Sequence, residues 1–125
     1  MEKNKLHIID SECFDREIMN KIFGNTYEIS ASENVKGFIN NIEANVIDVI
    51  YYEFRKANLS ELKMFCQTIK TIDKIIPWII VISENSIEIE QYARINNAFY
   101  CMIRPFNLKE LWDVIEAATN KLEFI

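Results

Sequence analysis

The chain has 125 residues, 50% hydrophobic and 26% charged, with 14 Lys plus Arg against 19 Asp plus Glu and a net charge of -5. That length makes one domain with enough interior to hold a core without a metal or disulfide staple, and the composition excludes disorder. The acidic balance argues against a duplex-binding surface, which needs a concentrated positive stripe, so no direct nucleic-acid binding is expected.

Cys13, Cys66 and Cys101 are an odd number without framework spacing and read as reduced, mostly buried thiols. The N-terminus has a short apolar run cut off by Asp10 rather than a signal-peptide core. No run approaches the roughly 20 apolar residues that span a bilayer. A cytoplasmic protein with no membrane contact is expected.

In chain order, Leu6 to Ile9 is a short apolar strand ending at Asp10. Glu12 to Phe23 has helical spacing, with Phe14, Ile18 and Ile22 on one face and Met19 beside it. Gly24-Asn25 suits a left-handed cap or a turn. Thr26 to Ser30 reads as a brief strand, and Ser32 as the N-cap of a helix from Glu33 to Ile42 that buries Val35, Phe38, Ile39 and Ile42. Val46 to Phe54 is too densely β-branched and aromatic for a half-solvated strand and reads as a central one.

Helix three starts near Ser60 and carries Leu62, Phe65, Cys66 and Ile69. Trp78 to Ile82 is a second fully apolar strand, followed by a helix from Ser86 to Asn97 with Ile89, Tyr92, Ala93 and Asn96 inward. Phe99 to Ile103 is the last strand, closed by Arg104-Pro105. Asn107 caps the last helix, whose apolar positions are Leu108, Leu111, Trp112, Ile115, Ala118 and Leu122.

Five β-α units with continuous apolar strands imply a parallel sheet, covered on both faces and joined by right-handed crossovers. The predicted strand order is 2-1-3-4-5, with two helices on one face and three on the other. The reading is one domain over 1–125, which is also compatible with the N-terminal part of a longer regulator.

Sites in such sheets form at the carboxyl ends of the strands, where strand order reverses. Asp10, Ser11 and Glu12 follow strand one, Glu53 to Arg55 end strand three, Ser83 and Glu84 follow strand four, and Arg104 follows strand five. Acids from two strands, a hydroxyl and a cation therefore meet on one rim. His7, the only histidine, lies away from that rim and has no Cys or His near it in sequence, so it reads as structural rather than a metal ligand.

On these residues the chain resembles, from Leu6 to about Leu122, the receiver (phosphoacceptor) domain of bacterial two-component response regulators, a flavodoxin-like (βα)5 three-layer sandwich. The matching positions are Asp10 with Ser11 and Glu12 for the Mg²⁺-holding acids, Glu53 for the phosphorylated Asp, Ser83 for the Thr or Ser, and Arg104-Pro105-Phe106 for the Lys-Pro step. The resemblance implies signal transduction or transcriptional regulation through an output face on the fourth helix, fifth strand and fifth helix. Here that face carries Ile95, Tyr100, Met102, Lys109 and Trp112, and serves a protein partner, an appended output domain or a homodimer.

The departures suggest an atypical, pseudo-receiver member. Ser11 stands at the principal side-chain metal ligand, and Glu53 sets its carboxylate one methylene further out than Asp. The cations Arg55 and Lys56 also crowd the rim. Weak Mg²⁺ binding, no cofactor and no enzymatic activity are expected. The forked Arg104 guanidinium suits a bidentate pair with Glu53, with Ser83 in hydrogen-bond reach, replacing the phospho-Asp and Lys arrangement. A neutral remnant is one alternative, and a functional Mg-dependent phosphoacceptor with autodephosphorylation is another.

Overall fold

The computed structural model describes residues 3–10, 13–42, 46–54, 59–72, 74–83 and 86–121. The elements are β1 (Asn4–Ile9), α1 (Cys13–Phe23), β2 (Tyr27–Ser32), α2 (Val35–Ile42), β3 (Val49–Phe54), α3 (Leu59–Lys70), β4 (Trp78–Ile82), α4 (Ile87–Ile95), β5 (Tyr100–Ile103) and α5 (Leu108–Lys121). The five strands form one parallel sheet in the order β2-β1-β3-β4-β5, as expected from the alternation.

Side chains alternate across the strands, which splits the core into two layers. Leu6, Ile8, Val49, Tyr51, Ile79, Val81 and Met102 meet Met19 and Phe23 of α1 and Leu111, Ile115 and Ala118 of α5. Ile9, Ile50, Tyr52, Phe54, Trp78, Ile80 and Ile82 meet Val35 and Phe38 of α2, Leu62 and Phe65 of α3, and Ile89 and Ala93 of α4. The two-and-three division of helices is thus explained by strand parity. All six residues of β3 are buried, because it lies in the middle of the sheet with helices on both sides.

Several local expectations are corrected. The buried face of α1 centres on Met19 and Phe23, with Ile18 and Ile22 at its margin. Of the two alternatives read for Gly24-Asn25, the turn is the one observed, and Gly24 does not adopt a left-handed backbone. It closes a turn whose tightness leaves no room for a Cβ against the Asn20 carbonyl oxygen. The left-handed residue is Asn97, at φ 67, just past α4, a conformation that Asn tolerates better than most side chains.

β2 runs two residues further than its sequence pattern suggests, so Ser32 ends a strand and does not cap α2. The cap is Asn34, whose Oδ1 accepts the Gly37 N–H at 2.7 Å. Leu108 is exposed and Val114 takes a buried place on α5. The N-cap at Asn107 stands as read, with its Oδ1 accepting the Glu110 N–H at 2.7 Å, whereas Ser86, read as the first helical residue, is the N-cap of α4. Cys66 is buried and Cys101 half-buried, both free thiols pushed up to about 11 by burial. Neither has the lowered pKa of a reactive cysteine.

Tyr52 is a local flaw in this packing. Its ring lies between Phe54 and Phe65, while its buried hydroxyl has no hydrogen-bond partner among the described residues. Burial raises its phenol well above the ordinary value, with Glu61 adding to the effect. An unsatisfied buried hydroxyl costs about 1 to 3 kcal/mol. Tyr52→Phe is therefore expected to stabilise the domain by about 1 kcal/mol in urea denaturation, and a loss of stability would show that the hydroxyl is satisfied after all.

Candidate functional site

Glu53 sits near the end of β3 and Arg104 just beyond β5, with β4 between them. In register, Glu53 pairs with Val81 and Val81 with Met102, so Arg104 lies two residues further along on the same face. The crossing is about 10 Å, two strand spacings, and only a long side chain makes it. Arg104 does so with two hydrogen bonds: Nη2 donates to Glu53 Oε2 at 2.6 Å and Nε donates to Oε1 at 3.3 Å. The Glu53 side chain is wholly buried, whereas that of Arg104 keeps 28% of its surface in solvent. The Arg104 guanidinium also lies 5.1 Å from the centre of the Phe106 ring, within cation-π range.

The hydroxyl that reaches Glu53 is not the expected one. Ser83 is exposed and makes no hydrogen bond to Glu53. Instead Tyr51 Oη donates to Glu53 Oε2 at 3.3 Å. Residues two apart on a strand share a face about 7 Å apart, a distance that a tyrosine spans. The period-two pattern of β3 puts Tyr51 and Glu53 on one face, which position at a strand end alone does not reveal.

Asp10 is completely buried. It follows Ile9, which pairs with Tyr52, so it ends its strand beside Glu53. Its backbone N–H donates to Ser32 O at 3.0 Å, tying the end of β1 to β2. Ser11, Glu12, Glu84, Arg55 and Lys56 lie outside the described residues. The structure thus brings together Asp10, Glu53, Tyr51 and Arg104 and leaves Ser83 at the surface.

The expected partner face is also redrawn. Ile95 is 79% and Tyr100 44% exposed, and Lys109 projects into solvent with an ion pair to Asp113 at 3.0 Å. Met102, however, is only 1% exposed and belongs to the α1–α5 side of the core. Strand parity explains this, since Met102 shares the face of Val81. Trp112 is half-buried, stacked on Phe23 with ring centres 4.9 Å apart and planes within 5°. Its main contact joins α5 to α1.

His7, read as structural, is buried on β1 and hydrogen-bonded at both ring nitrogens. Nδ1 is 2.7 Å from Ser30 Oγ and Nε2 is 3.0 Å from Ser32 Oγ. Its ring leans on Phe38. Desolvation lowers its pKa to about 4.

No protein-family model matches the sequence, and no curated protein matches it. Solved structures do. A CheY-like response regulator receiver domain protein from Methanospirillum hungatei superposes with a TM-score of 0.86 at 15% identity, covering 98% of each chain. A receiver domain protein from Clostridium thermocellum gives 0.80 at 21% identity, covering 97% of this chain and 98% of that one. NtrX from Brucella abortus gives 0.82 at 16% identity, covering 98% of this chain but 28% of that one.

Proposed function

We propose, from its likeness to the fold of response regulator receiver domains, that the chain is a receiver-like signalling domain, acting through protein-protein contacts rather than as an enzyme. In this reading the Glu53–Arg104 pair replaces the phosphorylated acceptor. The observation that carries the proposal is the bidentate pairing of Arg104 with a wholly buried Glu53. A carboxylate oxygen attacks phosphorus only along an open in-line approach, with its charge not already held by a cation. Here both oxygens accept guanidinium N–H bonds, Oε2 also accepts the Tyr51 hydroxyl, and the side chain has no solvent surface.

The same contacts work against the metal that the fold family implies. Mg²⁺ needs near-octahedral oxygen geometry and is usually held by one or two carboxylates with waters. Asp10 offers one carboxylate, but Glu53 is already neutralised by a guanidinium that would repel a dication. The described residues therefore do not fit the ion.

Output would pass through the exposed part of the α4–β5–α5 surface, which presents Ile95, Tyr100 and Lys109. Aromatic residues favour protein interfaces. An appended output domain or a separate partner protein fits this surface, and NtrX illustrates such a fold within a longer chain. Among the described residues no helix is long and apolar enough to cross a membrane.

The test is intact-mass spectrometry after incubation with Mg²⁺ and acetyl phosphate. The wild-type chain is expected to gain no phosphoryl group, and Mg²⁺ is expected to give no saturable change in Trp fluorescence up to about 10 mM. The Ser11→Asp, Glu53→Asp variant is expected to gain some label, because it restores both the acceptor and the missing ligand. A phosphorylated wild type would establish the ordinary phosphoacceptor reading instead.

A further inference from the structure

At the opposite edge of the sheet, below the starts of β3, β4 and β5, two depressions run into one another. One, of about 460 Å³, lies between α2 and α3 over Ile39 and Ile42; the other, of about 640 Å³, lies between the ends of α3 and α4 over Ile69 and Phe99. Ile72 lines both, so they form one trench. Within it Ile75 is 72% exposed. Singly exposed apolar side chains are ordinary, but a contiguous apolar surface marks an interaction site.

Charge gives the second indication. The chain carries a net charge of -5. Yet among the described residues, every charged side chain lining the trench is a cation: Lys70, Lys74 and Arg94. Lys74 is matched by Asp48 at 3.2 Å and Arg94 by Glu90 at 2.7 Å. Lys70, the last residue of α3, has no ion pair among the described residues.

We propose that this trench docks an amphipathic helix of a partner protein, with its apolar face on the isoleucines and an acidic flank facing Lys70. Helix-in-groove recognition reads apolar anchors spaced three and four residues apart. The flank charge selects between helices of similar hydrophobicity, because like charges across an interface are strongly penalised. A two-fold pairing of two copies through this trench would set like cations against each other. The trench lies at the other end of the strands from the Glu53–Arg104 site, so it could be filled while that pair is intact, and its Arg94, Asn96 and Phe99 side adjoins the α4–β5–α5 surface.

The test titrates the isotope-labelled full chain with a synthetic amphipathic helical peptide bearing a leucine face and a glutamate flank. A twin peptide carries lysines in place of the glutamates. Saturable amide shifts are expected around Ile39, Lys70, Ile72 and Ile75, with the lysine twin binding at least about tenfold more weakly. Lys70→Glu should remove that preference and Ile75→Ser should weaken binding, both at exposed positions where the wild-type melting temperature is retained. Equal affinity for the two peptides, shifts centred on Ile95 and Tyr100, or no saturation up to about 1 mM peptide would overturn the proposal. So would a concentration-dependent dimer abolished by Ile75→Ser, or binding of anionic lipid vesicles that displaces the peptide.

Discussion

Arg104→Met is expected to cost about 3 kcal/mol of stability, because it leaves the Glu53 carboxylate buried without a counter-charge. For a domain of this size that lowers the melting temperature by roughly 10 °C. Glu53→Gln should cost less, about 1 to 2 kcal/mol. Its amide can still accept from Tyr51, and Arg104 retains solvent contact for its charge. The double variant Glu53→Gln, Arg104→Met should be more stable than Arg104→Met alone, since no buried charge is left. A double-mutant cycle built from these three variants measures the coupling directly. Coupling within a few tenths of a kcal/mol of zero would place the pair among ordinary surface ion pairs. The proposal of a fixed site would then lose its physical basis, although the fold would stand.

The architecture was legible because period and composition agreed along the chain. The β-branched runs of β3 and β4 have no polar alternation, which only a doubly covered strand explains, and the helices between them dictate parallel order. The Glu53–Arg104 encounter was also legible, since parallel strands bring their carboxyl ends to one edge. What escaped was decided by neighbours. Ser32 has the chemistry of an N-cap, but His7 on the adjacent strand claims its hydroxyl and β2 extends to bring it there. Met102 reads as a surface residue until sheet parity sets it beside Val81. Ser83 lies in the right place along the chain, yet Tyr51 has the reach and the shared face to occupy the hydrogen bond assigned to it.

His7 supplies the second large effect, and it appears as pH dependence. Its pKa is lowered by burial from 6.5 to about 4. Protonation would not break the ring's hydrogen bonds, because both Ser30 and Ser32 hydroxyls can rotate to accept from an imidazolium. The penalty is that of placing a charge on a strand between helices. Above pH 6.5 the imidazole is neutral in both folded and unfolded chains, and its contribution is fully present. As the pH falls from 6.5 to about 4, the unfolded chain takes up the proton and the folded one does not, so stability drains away. Below about 4 both forms are protonated and the loss is complete, amounting to about 3 kcal/mol. That is a large fraction of the roughly 5 to 15 kcal/mol available to a domain. Urea denaturation of wild type and His7→Gln across this window separates the effect from carboxylate titration, which both proteins share. The variant should be less stable at neutral pH but fall less steeply on acidification, so the two curves converge towards pH 4. Parallel curves would mean that His7 takes up its proton at the same pH in the folded and unfolded chains, so that burial does not hold it neutral.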